Sequence, residues 1–146
     1  MTAAATRSAK AGVSVEVIIE SDAWSACKDA ERIVRHAIES AAAVIGKGGE
    51  VAVMLTDDAS IRGMNARWRG IDKPTNVLSF PVGESAAAIT RHLGDIAIAY
   101  ETVAAESAVE GKTFADHLAH LAIHGYLHLV GFDHETDAEA CSMEKL

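Results

Sequence analysis

Three histidines near the carboxyl end of the chain have a spacing that suits a metal ion. The segment HGYLHLVGFDH, residues 124–134, contains His124, His128 and His134. Side chains four positions apart lie on one face of a helix, so His124 and His128 can reach the same ion. Gly131 lets the chain leave the helix sharply and turn His134 towards that ion. The spacing therefore predicts one divalent metal ion held by three imidazoles.

Three protein ligands are typical of a catalytic site, because a tetrahedral ion then keeps its fourth position for water. Such an ion lowers the pKa of the bound water to about 7, which favours hydrolysis. His120 and His117 continue the stripe towards the start of the same predicted helix. Only His124 and His128 are followed by a helix-ending glycine and another histidine. We therefore expect packing, or hydrogen bonds to the ligands, for the two earlier histidines.

The pattern HxxxHxxGxxH is shared with metzincin proteases, which have a glutamate general base directly after the first histidine. Here that position is Gly125, and a glycine cannot accept a proton. A metzincin-like peptidase is therefore the minor alternative to the hydrolase hypothesis.

A second informative stretch, NARWRGIDKPTNVLSFP, covers residues 65–81. The guanidinium of Arg69 has fixed donors that suit a phosphate, and it lies where a predicted helix gives way to a loop. Trp68 is predicted to be a core or rim anchor rather than a platform on which a base stacks. Residues 61–73 have four basic side chains against one acidic one, namely Arg62, Arg67, Arg69 and Lys73 against Asp72. The net charge of -8 argues against broad binding to nucleic acid, but this local patch can bind phosphate.

Hydrophobic periodicity places these segments on alternating strands and helices. Strands are predicted at residues 13–19, 51–56, 76–80 and 94–100, and helices at 22–45, 57–68, 101–110, 113–130 and from 136 onward. The fold class is α+β: a single domain with a mixed sheet of about four strands packed with about five helices. Residues 1–12 are predicted to be a disordered terminus before a domain at residues 13–146.

Composition is typical of a cytoplasmic protein. Of the 146 residues, 49% are hydrophobic but only 5% aromatic, so the core must consist mainly of aliphatic side chains. Apolar runs are far shorter than the ~20 residues of a membrane span, and no secretory signal is visible. Cys27 and Cys141 form no CxxC pair and are expected to be reduced thiols.

Three segments together resemble the YbeY-type bacterial endoribonucleases, which act in ribosomal RNA maturation. They are NARWRGIDKPTNVLSFP, GDIAIAYET and HLAHLAIHGYLHLVGFDH, at residues 65–81, 94–102 and 117–134. Asn76 is a departure, because many relatives have aspartate at that position.

The resemblance implies a zinc ion held by His124, His128 and His134, and an essential arginine, Arg69, that faces the phosphate. Arg69 and His124 are therefore the candidate catalytic residues. The implied reaction is hydrolysis of single-stranded RNA, in maturation of small-subunit (16S) ribosomal RNA and in ribosome quality control. The implied partners are ribosomal RNA precursor and the small ribosomal subunit or its proteins.

Two points stay open at this stage. Either hydroxide bound to the metal is itself the nucleophile, or a nearby histidine such as His120 assists as the general base. A non-catalytic ribosome assembly factor with a structural metal is the alternative function, and the net charge of -8 is the best argument for it.

Overall fold

A five-stranded mixed sheet forms the centre of the protein, and its strands follow the order β1-β2-β3-β5-β4. The computed structural model describes residues 5–10, 12–83, 87 and 89–132. The inner strands β2, β3 and β5 run parallel, whereas β1 and β4 pair antiparallel at the two edges. The strands are β1 (Ala5–Lys10), β2 (Val13–Ile19), β3 (Gly49–Thr56), β4 (Val77–Pro81) and β5 (His92–Ala99).

The described residues form four long α-helices, which confirms the α+β fold class. They are α1 (Ala30–Ile45), α2 (Asp58–Arg69), α3 (Tyr100–Glu110) and α4 (Phe114–Leu129). The prediction of one continuous helix over residues 22–45 was wrong. Ser21 caps a short 3₁₀ helix, Asp22–Ala26, and the chain then changes direction at Cys27 before α1 begins. The final helix predicted from residue 136 lies outside the described residues.

Strand β1 lies within residues 1–12, for which the sequence predicted a disordered terminus and no strand. It pairs with β2 from Ala5 opposite Ile18 to Lys10 opposite Val13. The segment ATRSAK has no alternation of apolar residues, so only its backbone pairing defines it as a strand. The domain boundary at residue 13 stays a prediction.

The two faces of the sheet bury different kinds of side chain. On strand β5, Ile96 and Ile98 belong to the large core cluster that also includes residues of α1 and α4. Ala97 and Ala99 point the other way, into a smaller cluster with Ile61 of α2. Burial on both faces explains why β5 is continuously apolar from Ile96 to Ala99.

Two helices begin side by side at the carboxyl ends of β3 and β5, and they are linked by reciprocal capping. Asp58 of α2 accepts hydrogen bonds from the backbone N–H and hydroxyl of Thr102, at 3.2 and 2.7 Å. In return, Glu101 of α3 accepts a hydrogen bond from the N–H of Asp58 at 2.9 Å. These bonds satisfy donors that helix starts leave unpaired and hold α2 and α3 together.

Of the helices in the described part of the chain, none is long and apolar enough to cross a membrane.

Candidate functional site

A cleft of about 1030 Å³ is lined by residues of α4 and of the edge strand β4. One wall is a row of imidazoles on α4, and the opposite side is formed by β4 and the loop before it. Side chains of α2 and α3 complete the lining. The polar residues that line it are Arg69, Thr75, Asn76, Ser79, Glu106, Glu110, Lys112, His117, His120, His124 and His128.

The histidine row follows the helical repeat of α4. Ring centroids are 6.4 Å apart for His117 and His120, 6.1 Å for His120 and His124, and 5.0 Å for His124 and His128. Thr113 begins the helix by accepting a hydrogen bond from the N–H of Asp116 at 3.0 Å. The predicted pair, His124 and His128, is therefore the most closely spaced neighbouring pair of the row.

His124 and His128 suit a divalent metal in both chemistry and position. Imidazole nitrogen is a common zinc ligand, and both rings line the same cleft. The third predicted ligand, His134, lies outside the described residues. Within the described ranges, no group of three histidine, cysteine or acidic side chains is arranged to hold an ion. The full set of three ligands therefore stays a prediction. Its two described members, His124 and His128, fit that prediction.

Arg69 is the last residue of α2 and is exposed at the opening of the cleft. The helix ends there because Gly70 adopts the left-handed conformation, with a φ of 70°. The structure thus brings the predicted catalytic residues, Arg69 and His124, into one cleft from two different helices.

Side chains of α2 hold the loop after Arg69 in place through hydrogen bonds. The amide of Asn65 donates a hydrogen bond to the carbonyl of Lys73 at 2.9 Å. Arg62 donates two hydrogen bonds to the carboxylate of Asp72, at 2.8 and 3.2 Å. That pairing raises the pKa of Arg62 and lowers the pKa of Asp72. These contacts define the path of the chain between α2 and β4.

Glu106 on α3 joins the two walls of the cleft, a role that the sequence analysis missed. Its Oε1 accepts a hydrogen bond from the amide of Asn76 at 2.9 Å. The same oxygen lies 2.8 Å from Nε2 of His117, which donates to the carboxylate when Nε2 carries the proton. His117 is only 4% exposed. No local pattern pairs an acid on one helix with these two distant positions, so only the tertiary structure reveals this network.

Asn76 therefore has a defined contact in the cleft. Its Oδ1 accepts a hydrogen bond from the N–H of Val77 at 2.7 Å, which directs the amide nitrogen towards Glu106. An aspartate at this position would face the carboxylate of Glu106 without a donor. The asparagine thus matches the acid opposite it.

Gly125 marks a close approach of α4 to the sheet. Its carbonyl accepts a hydrogen bond from the hydroxyl of Ser79 at 3.1 Å. A Cβ at this position would lie 3.0 Å from Cγ2 of Ile96 and 3.3 Å from Oγ of Ser79. A glutamate base after the first histidine, which a metzincin requires, would have to displace these neighbours.

The α3 side of the cleft has charges of both signs. Lys112 donates a hydrogen bond to Glu110 at 3.0 Å, and this bond holds the pKa of the Glu110 carboxyl below its usual value. Glu106 on α3 adds a second carboxylate to this side of the cleft. A phosphate is therefore favoured near Arg69 rather than beside α3.

Comparison with known proteins identifies the family. A family model described as Endoribonuclease YbeY matches residues 16–146. An endoribonuclease YbeY of Rhodopseudomonas palustris strain BisA53 is 55% identical over 140 residues, covering 91% of this chain and 81% of the relative. One from Nitrobacter winogradskyi is 52% identical over 139 residues, covering 90% and 73% of the two chains.

A solved structure has a similar fold. The solution structure of TM1509 from Thermotoga maritima superposes with a TM-score of 0.56 and 26% sequence identity, covering 90% of this chain and 85% of that one. The chain belongs to the YbeY endoribonuclease family, which confirms the resemblance seen in its three motifs.

Proposed function

We propose that this protein is a metal-dependent endoribonuclease that cuts single-stranded RNA during small-subunit (16S) ribosomal RNA maturation and ribosome quality control. The name shared by its relatives, endoribonuclease YbeY, supports action on RNA. The observation that carries the proposal is the meeting of Arg69 with His124 and His128 in one cleft. An anion-binding group and imidazole ligands then face the same substrate.

One zinc ion is the proposed cofactor, with His124, His128 and His134 as its ligands. Zinc held by imidazoles supplies Lewis acidity for the hydrolysis of a phosphodiester. His124 and His128 contribute their ring nitrogens from successive turns of α4, whose close packing at Gly125 holds that helix against the sheet.

Arg69 binds and orients the scissile phosphate in this proposal. Its guanidinium donates hydrogen bonds to the phosphoryl oxygens and stabilises the negative charge that increases as the bond breaks. Because Arg69 is exposed at the end of α2, a phosphate can reach it from solvent. Glu106 acts through His117 and Asn76 and holds the two walls of the cleft in place.

The proposed partners are precursor ribosomal RNA and the small ribosomal subunit or its proteins, in the cytoplasm. With a net charge of -8, the protein is expected to contact RNA locally, through the basic residues at 61–73. Such contacts let a protein that is acidic overall act on a polyanion.

The test is cleavage of a 16S precursor fragment by purified protein of known metal content. His128→Ala and Arg69→Ala are compared with His36→Ala, which removes an imidazole from α1 outside the cleft. We expect wild type and His36→Ala to hold about one metal ion per chain and to cut RNA. His128→Ala should lose both metal and cleavage, whereas Arg69→Ala should lose cleavage and keep its metal.

Equal background cleavage by all four proteins would show a contaminating nuclease and overturn the proposal. Binding to small subunits without turnover would then support the assembly factor with a structural metal. Cleavage of casein that is abolished in His128→Ala would instead support a peptidase.

A further inference from the structure

We propose that Trp68 forms a stacking subsite for a nucleobase of single-stranded RNA, beside the phosphate that Arg69 binds. The inference rests on the proposed function and adds a part of the substrate other than the scissile phosphate. It concerns a side chain that does not itself line the cleft.

The two tryptophans of the chain lie in opposite environments. Trp24 is 2% exposed, contacts Tyr100 and Phe114 edge to face, and donates a hydrogen bond from Nε1 to the carbonyl of Thr56 at 2.7 Å. Trp68 is 71% exposed. Of the two predicted positions, core and rim, Trp68 therefore occupies the rim. Most of its large aromatic surface faces solvent.

Phe80 anchors the indole of Trp68 without covering it. The two ring centroids are 6.0 Å apart and the ring planes are inclined by 64°. Phe80 in turn packs against the smaller core cluster between the sheet and α2. An inclined contact of this kind restrains the orientation of the indole but leaves most of its surface exposed, so that a base can stack on it.

Both neighbours of Trp68 connect it to the cleft. Arg69 follows it in the chain and lines the cleft, and Phe80 stands on β4 between Ser79 and Pro81, which also line it. Among the described strands β4 lies at the edge of the sheet, so both of its faces are next to that edge. A strand of RNA that leaves the cleft past Arg69 can therefore pass the indole of Trp68, the preceding residue.

The charge around Trp68 favours RNA over an apolar protein surface. Arg62 is paired with Asp72, so the local positive excess rests on Arg67, Arg69 and Lys73. Arginines that follow a phosphate backbone beside an aromatic ring that stacks on bases are the usual means of binding single strands without sequence preference. The expected ligand is therefore any unpaired base.

The experiment measures the fluorescence of the metal-loaded full chain during titration with a short uridine oligonucleotide. The comparison probe is a ribose-phosphate oligomer of equal length without bases. Because Trp24 is buried, a change in the emission of exposed tryptophan reports on Trp68. We expect quenching by the uridine oligonucleotide and little quenching by the abasic one.

Variants separate stacking from folding and from catalysis. Trp68→Ala should raise the KM for RNA about five- to tenfold with kcat unchanged, the lower part of the range for base–aromatic stacking. Trp68→Phe should recover most of the affinity. Val44→Ala alters an equally exposed apolar residue on α1 and should match wild type.

An unchanged KM in Trp68→Ala, or equal quenching by both oligomers, would overturn the subsite and leave the proposed function standing. A variant that binds RNA normally but loses a ribosomal protein would also overturn it, because the indole would then be a protein contact. If wild type cuts no RNA, the proposed function fails, and the titration still decides whether a base stacks on Trp68.

Discussion

The close packing of α4 at Gly125 predicts an unusual response to a small substitution. Alanine is ordinarily more stable than glycine inside a helix by about 1 kcal/mol. At Gly125, however, the added methyl would lie 3.0 Å from Cγ2 and 3.2 Å from Cδ1 of Ile96, which is completely buried. Overpacking of this kind costs ~1–3 kcal/mol. If overpacking costs about 2 kcal/mol and the higher helix propensity of alanine offsets about 1 kcal/mol, Gly125→Ala destabilises the protein by about 1 kcal/mol.

Gly63 in α2 is the matched control. It also lies inside a helix, but a Cβ there would meet only Nη1 of Arg67, at an ordinary contact distance of 3.5 Å. Gly63→Ala should therefore stabilise the protein by about 0.5–1 kcal/mol. The two substitutions are chemically identical, so their difference isolates the contact between α4 and β5.

Urea unfolding of the metal-loaded protein is the assay. The midpoint should fall for Gly125→Ala and rise for Gly63→Ala, with equal m values, since neither change alters the surface exposed on unfolding. If Gly125→Ala were as stabilising as Gly63→Ala, α4 would not lie as close to the sheet as described. The explanation for the missing glutamate would then fail with it.

Three further predictions follow from other contacts. Asp57→Ala removes the cap of α2, where the Ser60 N–H donates to the carboxylate at 2.9 Å, and should cost about 1 kcal/mol at neutral pH. That hydrogen bond lowers the pKa of Asp57 from its ordinary value of 3.8, so the stabilisation is lost as the pH falls through the folded pKa. Urea curves of variant and wild type should therefore converge in acid. His117→Ala leaves Glu106 without one donor and should lower the free energy of unfolding by ~1–3 kcal/mol, measured beside His36→Ala, for which a smaller change is expected. Finally, RNA binding should weaken with salt, and the log–log slope should become shallower by about 0.7 in Arg67→Ala but not in Arg32→Ala, whose arginine pairs with Asp29 on α1.

Local signals in the sequence were sufficient for most of the secondary structure. Asp57 caps α2, Thr113 caps α4, and glycines in the left-handed conformation end α1, α2 and α3, so these boundaries were predicted within a few residues. Strand β2 was predicted at its observed bounds because Val13, Val15 and Val17 alternate with more exposed residues. Periodicity and capping act within one turn or one strand, and a single sequence displays them directly.

The parts that the sequence did not reveal depend on contacts between distant residues. The order of the strands, the pairing of β1 and the division of residues 22–45 all result from packing against other elements. The same holds for the site. The row of histidines was visible from its helical spacing, whereas the role of Glu106 depends on Asn76 and His117 meeting it in space. The predicted ligand role of His134 and the reduced state of Cys141 concern positions outside the described residues.

The long-range pairing of the sheet has a consequence for how the protein folds. Val15 on β2 faces Val51 on β3, and Val53 faces Ile96 on β5. Each parallel contact must close a long loop before it contributes stability, which makes such topologies slow to fold. The Ser79–Gly125 bond spans 46 residues and forms only after α4 has been synthesised. A growing chain that ends before Phe114 therefore has no histidine row opposite β4, and the cleft is among the last features to form.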